Sequence, residues 1–312
     1  MPNLLQKASI VLTPTAYNDG EVLCAKPDDG SGDFDFSRNS AATRVNAQGL
    51  VENVQILSSN LVQNGDFSEE GVQEVSNGSF SQEGVQLVTN GNFDTDSDWN
   101  KGTGWSISGG KANATSSPSG QRLSQFNLGQ TINRPYKITI SVSNLTQGGF
   151  GIWLGGANTS LNINTNGNHT IYLTPINTAQ LFIFTNGTTS GSIDNVSVRE
   201  VAQDWTLGTG WSIGEDKAIS DTTASNLTPS TVLVSGKTYK FTLDVAKISA
   251  GSFTFILRFN GTNTTFATIN TEGSFTFYAT ADATGFRLQN LSGGTTDFSV
   301  TNISVKEVGN RS

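Results

Sequence analysis

The stretch Trp99-Asn-Lys-Gly-Thr-Gly-Trp-Ser-Ile-Ser-Gly-Gly-Lys-Ala112 returns as Trp205-Thr-Leu-Gly-Thr-Gly-Trp-Ser-Ile-Gly-Glu-Asp-Lys-Ala218. Nine of the fourteen positions are identical, at an offset of 106. Asn164, Gly167, Thr170, Tyr172 and Thr174 recur at the same offset as Asn270, Gly273, Thr276, Tyr278 and Thr280. The units also close alike, Asn195-Val-Ser-Val-Arg-Glu-Val201 against Asn302-Ile-Ser-Val-Lys-Glu-Val308. Solenoid repeats run to roughly 20–50 residues, so this period is that of a whole domain. Two copies of one domain are expected, at 94–201 and 202–312, with other material before them.

Within each copy the apolar residues alternate. Tyr136-Lys-Ile-Thr-Ile-Ser-Val142 places one face inward and one outward, the period of a half-buried strand. Similar runs at 104–108, 111–115, 123–128, 151–155, 161–164, 169–174, 181–185 and 193–200 read as strands. The second copy repeats them at 238–245, 254–259, 265–270, 274–279, 285–289 and 298–308. No segment sustains a helical period. The fold class is all-β, two tandem antiparallel jelly-roll sandwiches.

Composition agrees. The 312-residue chain is 14% charged and 35% hydrophobic, with 34 glycines. That is the make-up of short strands joined by many turns. Its net charge of −8, without a basic run, argues against nucleic acid or an anionic membrane as partner. No apolar stretch reaches spanning length, and the first dozen residues read as no secretory signal. Cys24 is the sole cysteine, which rules out an intrachain disulfide and a cysteine-built zinc site.

Two stretches precede the large repeats. Residues 1–60 are too polar to hold a private core and read as a docking segment. Phe34, Phe36, Arg38 and Arg44 are its candidate contacts. Residues 61–93 carry a period of 13: Val62-Gln-Asn-Gly-Asp-Phe67, Val75-Ser-Asn-Gly-Ser-Phe80 and Val88-Thr-Asn-Gly-Asn-Phe93. Asn-Gly is turn chemistry. The stretch reads either as a duplicated linker or as a neck of short strands stacked along a fibre axis. The latter favours a homotrimer, with a dimer open.

Asn90-Gly-Asn-Phe-Asp94, Trp99, Gly104-Trp-Ser-Ile107 and Gly191-Ser-Ile-Asp-Asn-Val-Ser-Val198 resemble a family 4/9/22-type carbohydrate-binding module, whose fold is a galactose-binding-like jelly roll. That resemblance implies a structural calcium between first and last strands. Asp94 and Asp194 match its carboxylates. The second copy has Thr301 in place of Asp194, and no Asn-Gly-x-Phe is read as preceding Trp205, so calcium is expected in the first domain only. Ser37-Arg-Asn-Ser-Ala-Ala-Thr-Arg-Val-Asn-Ala-Gln-Gly-Leu-Val-Glu52 resembles a segment near the start of tailed-bacteriophage structural proteins. Together these imply a virion surface protein made in the host cytoplasm: a head fibre or decoration protein, or alternatively a tail fibre. It would be anchored to capsid or other virion proteins through residues 1–60 and would display sandwiches that bind glycans weakly. The other alternative is a free carbohydrate-binding protein of a polysaccharide-degrading system.

Sugar binding needs flat aromatic faces and planar hydrogen-bonding groups. The candidates are Trp153 and Tyr172 in the first domain, and Arg258, Tyr278 and Arg287 in the second. Packing within the core or between domains is the competing reading for Trp153 and Tyr172. Trp99, Trp105, Trp205 and Trp211 occur in both copies and are read as structural. His169 is the only histidine, and no catalytic set can be assembled around it. The chain is therefore not expected to be an enzyme.

Overall fold

The computed structural model describes residues 69–158, 162–291 and 293–309, with short pieces at 17–18, 21–22, 34–35, 43–45 and 48–53. The chain divides into two compact units, Met1–Gly65 and Asp66–Ser312. In the first, Tyr17–Asn18, Glu21–Val22 and Phe34–Asp35 form a small antiparallel sheet. Thr43–Val45 pairs with Val51–Asn53 around a turn at Gly49. Phe34 and Arg44 thus lie in short strands, Arg44 in a hairpin. Phe36 and Arg38 lie outside the described residues.

The second unit holds two antiparallel β-sandwiches, and no helix occurs among its described residues. In the first sandwich, Tyr136–Leu154 and Leu181–Val201 run through both layers. Their ladder is interrupted between Ser143 and Gly149, where the strand pair turns the corner. Gly148 there has φ 69, and a Cβ on it would lie 2.4 Å from the Thr189 hydroxyl oxygen. The two strands expected at 136–144 and 151–155 are therefore halves of one bent strand. One layer adds Trp105–Ser108, Lys111–Ser117 and Gly167–Leu173, and the other adds Arg122–Gln125, Asn100–Lys101 and Ala157–Asn158. The strand expected at 161–164 is reduced to a bridge between Ile163 and Phe150.

In the second sandwich the corners are loops, so the layers are separate sheets of six and five strands. The six-stranded sheet has Phe298–Val308 and Thr238–Lys247 at its centre. The five-stranded sheet runs Trp205–Leu207, Asn226–Pro229, Phe286–Asn290, Phe255–Phe259, Thr265–Ile269.

The neck expected at 61–93 is not a separate element over its described part, and the domain limits change with it. Glu83–Gln86 pairs with the end of Leu181–Val201, and Val88 and Phe93 enter the first core. Glu70–Gln73 pairs instead with Phe298–Val308, and Val75 and Phe80 enter the second core. The second sandwich is thus discontinuous, and the first is inserted within it. Val62–Phe67, the earliest copy of the short repeat, lies outside the described residues.

The two seated copies make the same contacts. Asn77 and Asn90 adopt φ 49 and 51, a conformation asparagine tolerates. Gly78 and Gly91 lie so close to the last strand that a Cβ would fall 1.9 Å from the Ile303 carbonyl oxygen and 2.1 Å from that of Val196. The N–H groups of Ile303 and Val196 donate to the Gly78 and Gly91 carbonyls at 2.9 and 2.8 Å. Phe80 meets Trp205 at 5.0 Å between ring centroids, and Phe93 meets Trp99 at 5.3 Å. The Trp205 indole N–H donates to the Ser76 and Asn77 carbonyls, and that of Trp99 to the Asn90 carbonyl. Gln73 and Gln86 accept from the N–H groups of Val305 and Val198 through their side-chain oxygens. So an Asn-Gly-x-Phe does serve Trp205, but it arrives from before the first sandwich.

Truncating a large buried aromatic costs about 3–5 kcal/mol. Phe80→Ala is therefore expected to destabilise the second sandwich, more than a hundred residues downstream in sequence, while sparing the first. Phe93→Ala should do the converse. Hydrogen exchange resolved by segment checks both, and loss of protection confined to residues near position 80 would contradict the nested arrangement.

Glu70 clamps the seated strand through Lys240 and Lys306, at 2.5 and 2.9 Å. Hydrogen bonds from these two ammonium groups hold its carboxyl below the usual glutamate range. A lowered folded-state pKa means that the contribution is complete above the ordinary glutamate value and fades as pH falls through the lowered one. Amide exchange at 70–75, corrected for intrinsic rates, should accelerate on acidification, and Glu70→Gln should flatten that response. An unchanged acid response in Glu70→Gln would remove the clamp.

Candidate functional site

Strand alternation decides which side chains leave the core. Ile152 and Leu154 are fully buried, so Trp153 between them points out of the sheet. Leu181 and Ile183 are buried in the same way, which turns Phe182 and Phe184 to the same outer face. Leu123 points inward from the neighbouring strand and leaves Arg122 and Ser124 outside.

The register brings these groups together. Trp153 stands opposite Phe182, and Phe182 opposite Ser124; Phe184 stands between Gly151 and Arg122. The Trp153 and Phe182 rings stack at 5.1 Å with 26° between planes, and Phe184 meets Phe182 edge-on at 6.2 Å. The Arg122 guanidinium carbon lies 4.2 Å from the Phe182 ring centroid, a cation–π contact. Gly151 is required here: a Cβ would lie 2.2 Å from the Phe184 ring, which lies across the strand. The result is a sheet face carrying an aromatic cluster, bordered by a guanidinium that keeps free donors. Phe182 is covered by its neighbours, while Trp153 and Phe184 are half-buried and Arg122 is exposed.

The second sandwich has the same positions with different chemistry. Arg258 and Arg287 lie 105 residues beyond Trp153 and Phe182. They face each other in register just as those two do. Arg258 donates through Nε to the Asn263 carbonyl at 3.0 Å and through Nη1 to the Gln289 side-chain oxygen at 3.1 Å. Arg287 donates through Nη1 to the Asn260 side-chain oxygen and through Nη2 to that of Asn263, at 3.1 and 2.6 Å. Burial, then the charge of Arg258, lowers the Arg287 pKa below the usual arginine value.

The structure separates the two tyrosines from these faces. Tyr278 is exposed on the other sheet of its sandwich, opposite Lys240. Tyr172 stands opposite Lys137, at the far end of the long strand from Trp153, and packs against the core of the second sandwich. Phe182, Phe184, Arg122 and Gln289 were missed by the sequence reading. The alternation in Leu181-Phe-Ile-Phe184 carries the signal for the phenylalanines. Trp99, Trp105, Trp205 and Trp211 are all buried.

Asp94 and Asp194, the expected calcium carboxylates, each accept a local hydrogen bond. Asp94 is exposed and accepts from the Asn92 side-chain amide, while Asp194 accepts from the Asn195 backbone N–H at 2.6 Å. Among the described residues no three acidic, histidine or cysteine side chains converge as metal ligands. Calcium binds through six to eight oxygens, so two carboxylates would need backbone carbonyls to complete the set. In the second sandwich the carboxylate has moved across the strand pair. Asp244 stands opposite Thr301 and accepts from Ser274 and Asn302, whose hydrogen bonds lower its pKa. Calcium held at Asp94 and Asp194, as the resemblance implies, would be read as a melting transition lowered by a calcium chelator. An unchanged transition would remove that expectation.

No protein-family model matches the chain, and no curated protein does. Among solved structures, the chain is similar to the N-terminal CBM22-1–CBM22-2 tandem of Paenibacillus barcinonensis Xyn10C. The identity is 12% and the TM-score 0.30, over 73% of this chain and 98% of that one. A CBM4 structure matches at 18% identity and TM-score 0.27, over 32% of this chain and 77% of that one. Tandem CBM51 modules of Streptococcus pneumoniae Sp3GH98 match at 9% and 0.20, over 77% and 96%.

Proposed function

We propose that the chain is a non-catalytic carbohydrate-binding protein whose first sandwich receives sugar rings on the face formed by Trp153, Phe182, Phe184 and Arg122. The observation that carries this is the stacked Trp153–Phe182 pair with Arg122 against it, turned out of the core on a regular sheet. Sugar rings present C–H groups along one face and hydroxyls at the rim. The half-exposed Trp153 indole with a neighbouring planar donor complements both. A single open face of this kind gives weak binding, which several copies on one surface would amplify.

The test is a glycan array followed by calorimetry on the full chain. Trp153→Ala is expected to weaken binding of a neutral oligosaccharide by roughly tenfold or more, about 1.4 kcal/mol per tenfold. Its effect on melting should be small, because the ring lies outside the core. Silence across neutral glycans at millimolar concentration, or equal affinity in Trp153→Ala, would reject this face.

A second reading concerns attachment. Residues 1–65 form a unit with short strands of their own, and the stretch Ser37–Glu52 resembles phage structural proteins. A virion surface role, with this unit docking on the particle, agrees with both. Deleting residues 1–60 should then abolish incorporation into particles and leave the melting of the sandwiches intact. Full incorporation of the truncated protein would end that reading.

A further inference from the structure

We infer that the second sandwich binds the carboxylate of an acidic sugar, a uronic acid residue of a polysaccharide, between Arg258 and Arg287. This rests on the reading that the outward sheet faces are glycan-binding surfaces, and assigns the second face a different ligand class from the first.

Position is the first argument. The arginine pair occupies the register that the aromatic pair occupies in the first sandwich. Around it the core is kept: Leu257, Phe259, Phe286 and Leu288 point inward, as Ile152, Leu154, Leu181 and Ile183 do. Only the outward chemistry has changed, from a stacking surface to two guanidiniums beside Gln289 and Ile256.

Charge is the second. Like charges directly opposite on neighbouring strands are destabilising. The chain carries a net charge of −8, so acids are plentiful. Elsewhere they are used: Arg134 and Arg199 lie within 3.6 Å of Glu200 and Glu83. Among the described residues no carboxylate lies within ion-pairing distance of Arg258 or Arg287. Asp282, at the same end of the sandwich, accepts instead from the Thr262 hydroxyl. The two positive charges are therefore held together without a protein anion between them.

Preorganisation is the third. All four hydrogen bonds that fix the pair go to neutral amide or carbonyl oxygens, three of them in the turn at Asn260–Asn263. That turn is set by Gly261 and Asn263 at φ 88 and 61. Each guanidinium has five N–H donors, so donors remain on both for a ligand. A carboxylate matches the planar guanidinium fork in shape and supplies the missing charge. Asn226 and Gln289, paired in register beside the arginines, are placed for the hydroxyls of the same sugar.

The experiment measures binding of the full chain to polygalacturonate and its oligomers at low and high salt, with a neutral glucan and a sulfated glycan alongside. Polyuronate binding is expected to fall steeply with salt. Arg258→Gln and Arg287→Gln should each weaken it on the order of tenfold to a hundredfold, without loss of folded signal. Arg287→Lys, which keeps charge but not the fork, should recover only part. The arginine variants should leave neutral-glycan binding unchanged, so the two faces are judged separately. Absence of polyuronate binding, indifference to both glutamine variants, or preference for the sulfated glycan would overturn the assignment.

Discussion

Both sandwiches depend on one close approach. A glycine, Gly78 or Gly91, is pressed against a carbonyl of the last strand at a distance that no side chain could share. The asparagine before each takes a left-handed conformation, so that the phenylalanine two residues after the glycine turns back into the core. There it meets a tryptophan, whose indole N–H in turn satisfies a carbonyl of the same turn. Backbone contact, turn geometry, aromatic packing and polar satisfaction are four faces of one device. It fixes where the first strand enters, and through it the edge of one sheet. The ladder beyond it and the ion pairs of Glu70 and Glu83 add to a position that the glycine has already determined.

Much of the architecture was legible because it is local. The doubled tryptophan stretch announces two domains, and the alternation in Tyr136–Val142 or Leu181–Phe184 announces which side chains face the core. Two things were not. The corner at Gly148 joins what alternation reads as two strands, because a bent strand looks in sequence like a strand, a turn and a strand. The seating of Val75–Phe80 has no local signal at all: its partners at Ile303 and Trp205 lie more than a hundred residues away. Asn-Gly in a short period suggests a stack of hairpins, and only the distant partner reveals a first strand. In the candidate site, Trp153, Arg258 and Arg287 are legible by residue type. Phe182 was passed over since phenylalanine in an apolar run reads as core, and Tyr172 and Tyr278 were included although they belong to the other layer.

The two sandwiches separate what duplication must keep from what it can change. Inward positions hold Leu, Ile, Phe and Val at matching places, because a close-packed interior tolerates little change in volume. Outward positions on the same strands run from tryptophan and phenylalanine to a pair of arginines. Asp194 and Asp244 show the same freedom in smaller form, a carboxylate moved from one strand to its neighbour while the ladder between them stays. Surface chemistry can therefore diverge between the domains without altering the frame that carries it.

The nesting also has a mechanical meaning. Glu70 stands directly opposite Val308, so the chain enters and leaves this double body at adjacent points on one ladder. Tension applied between the residues before Glu70 and those after Val308 would reach that short ladder first. An antiparallel pair pulled from one end opens bond by bond, like a zip, instead of shearing all at once. The outer sandwich would yield from this seam, while the inner one lies further along the chain and stays unloaded until the seam has parted.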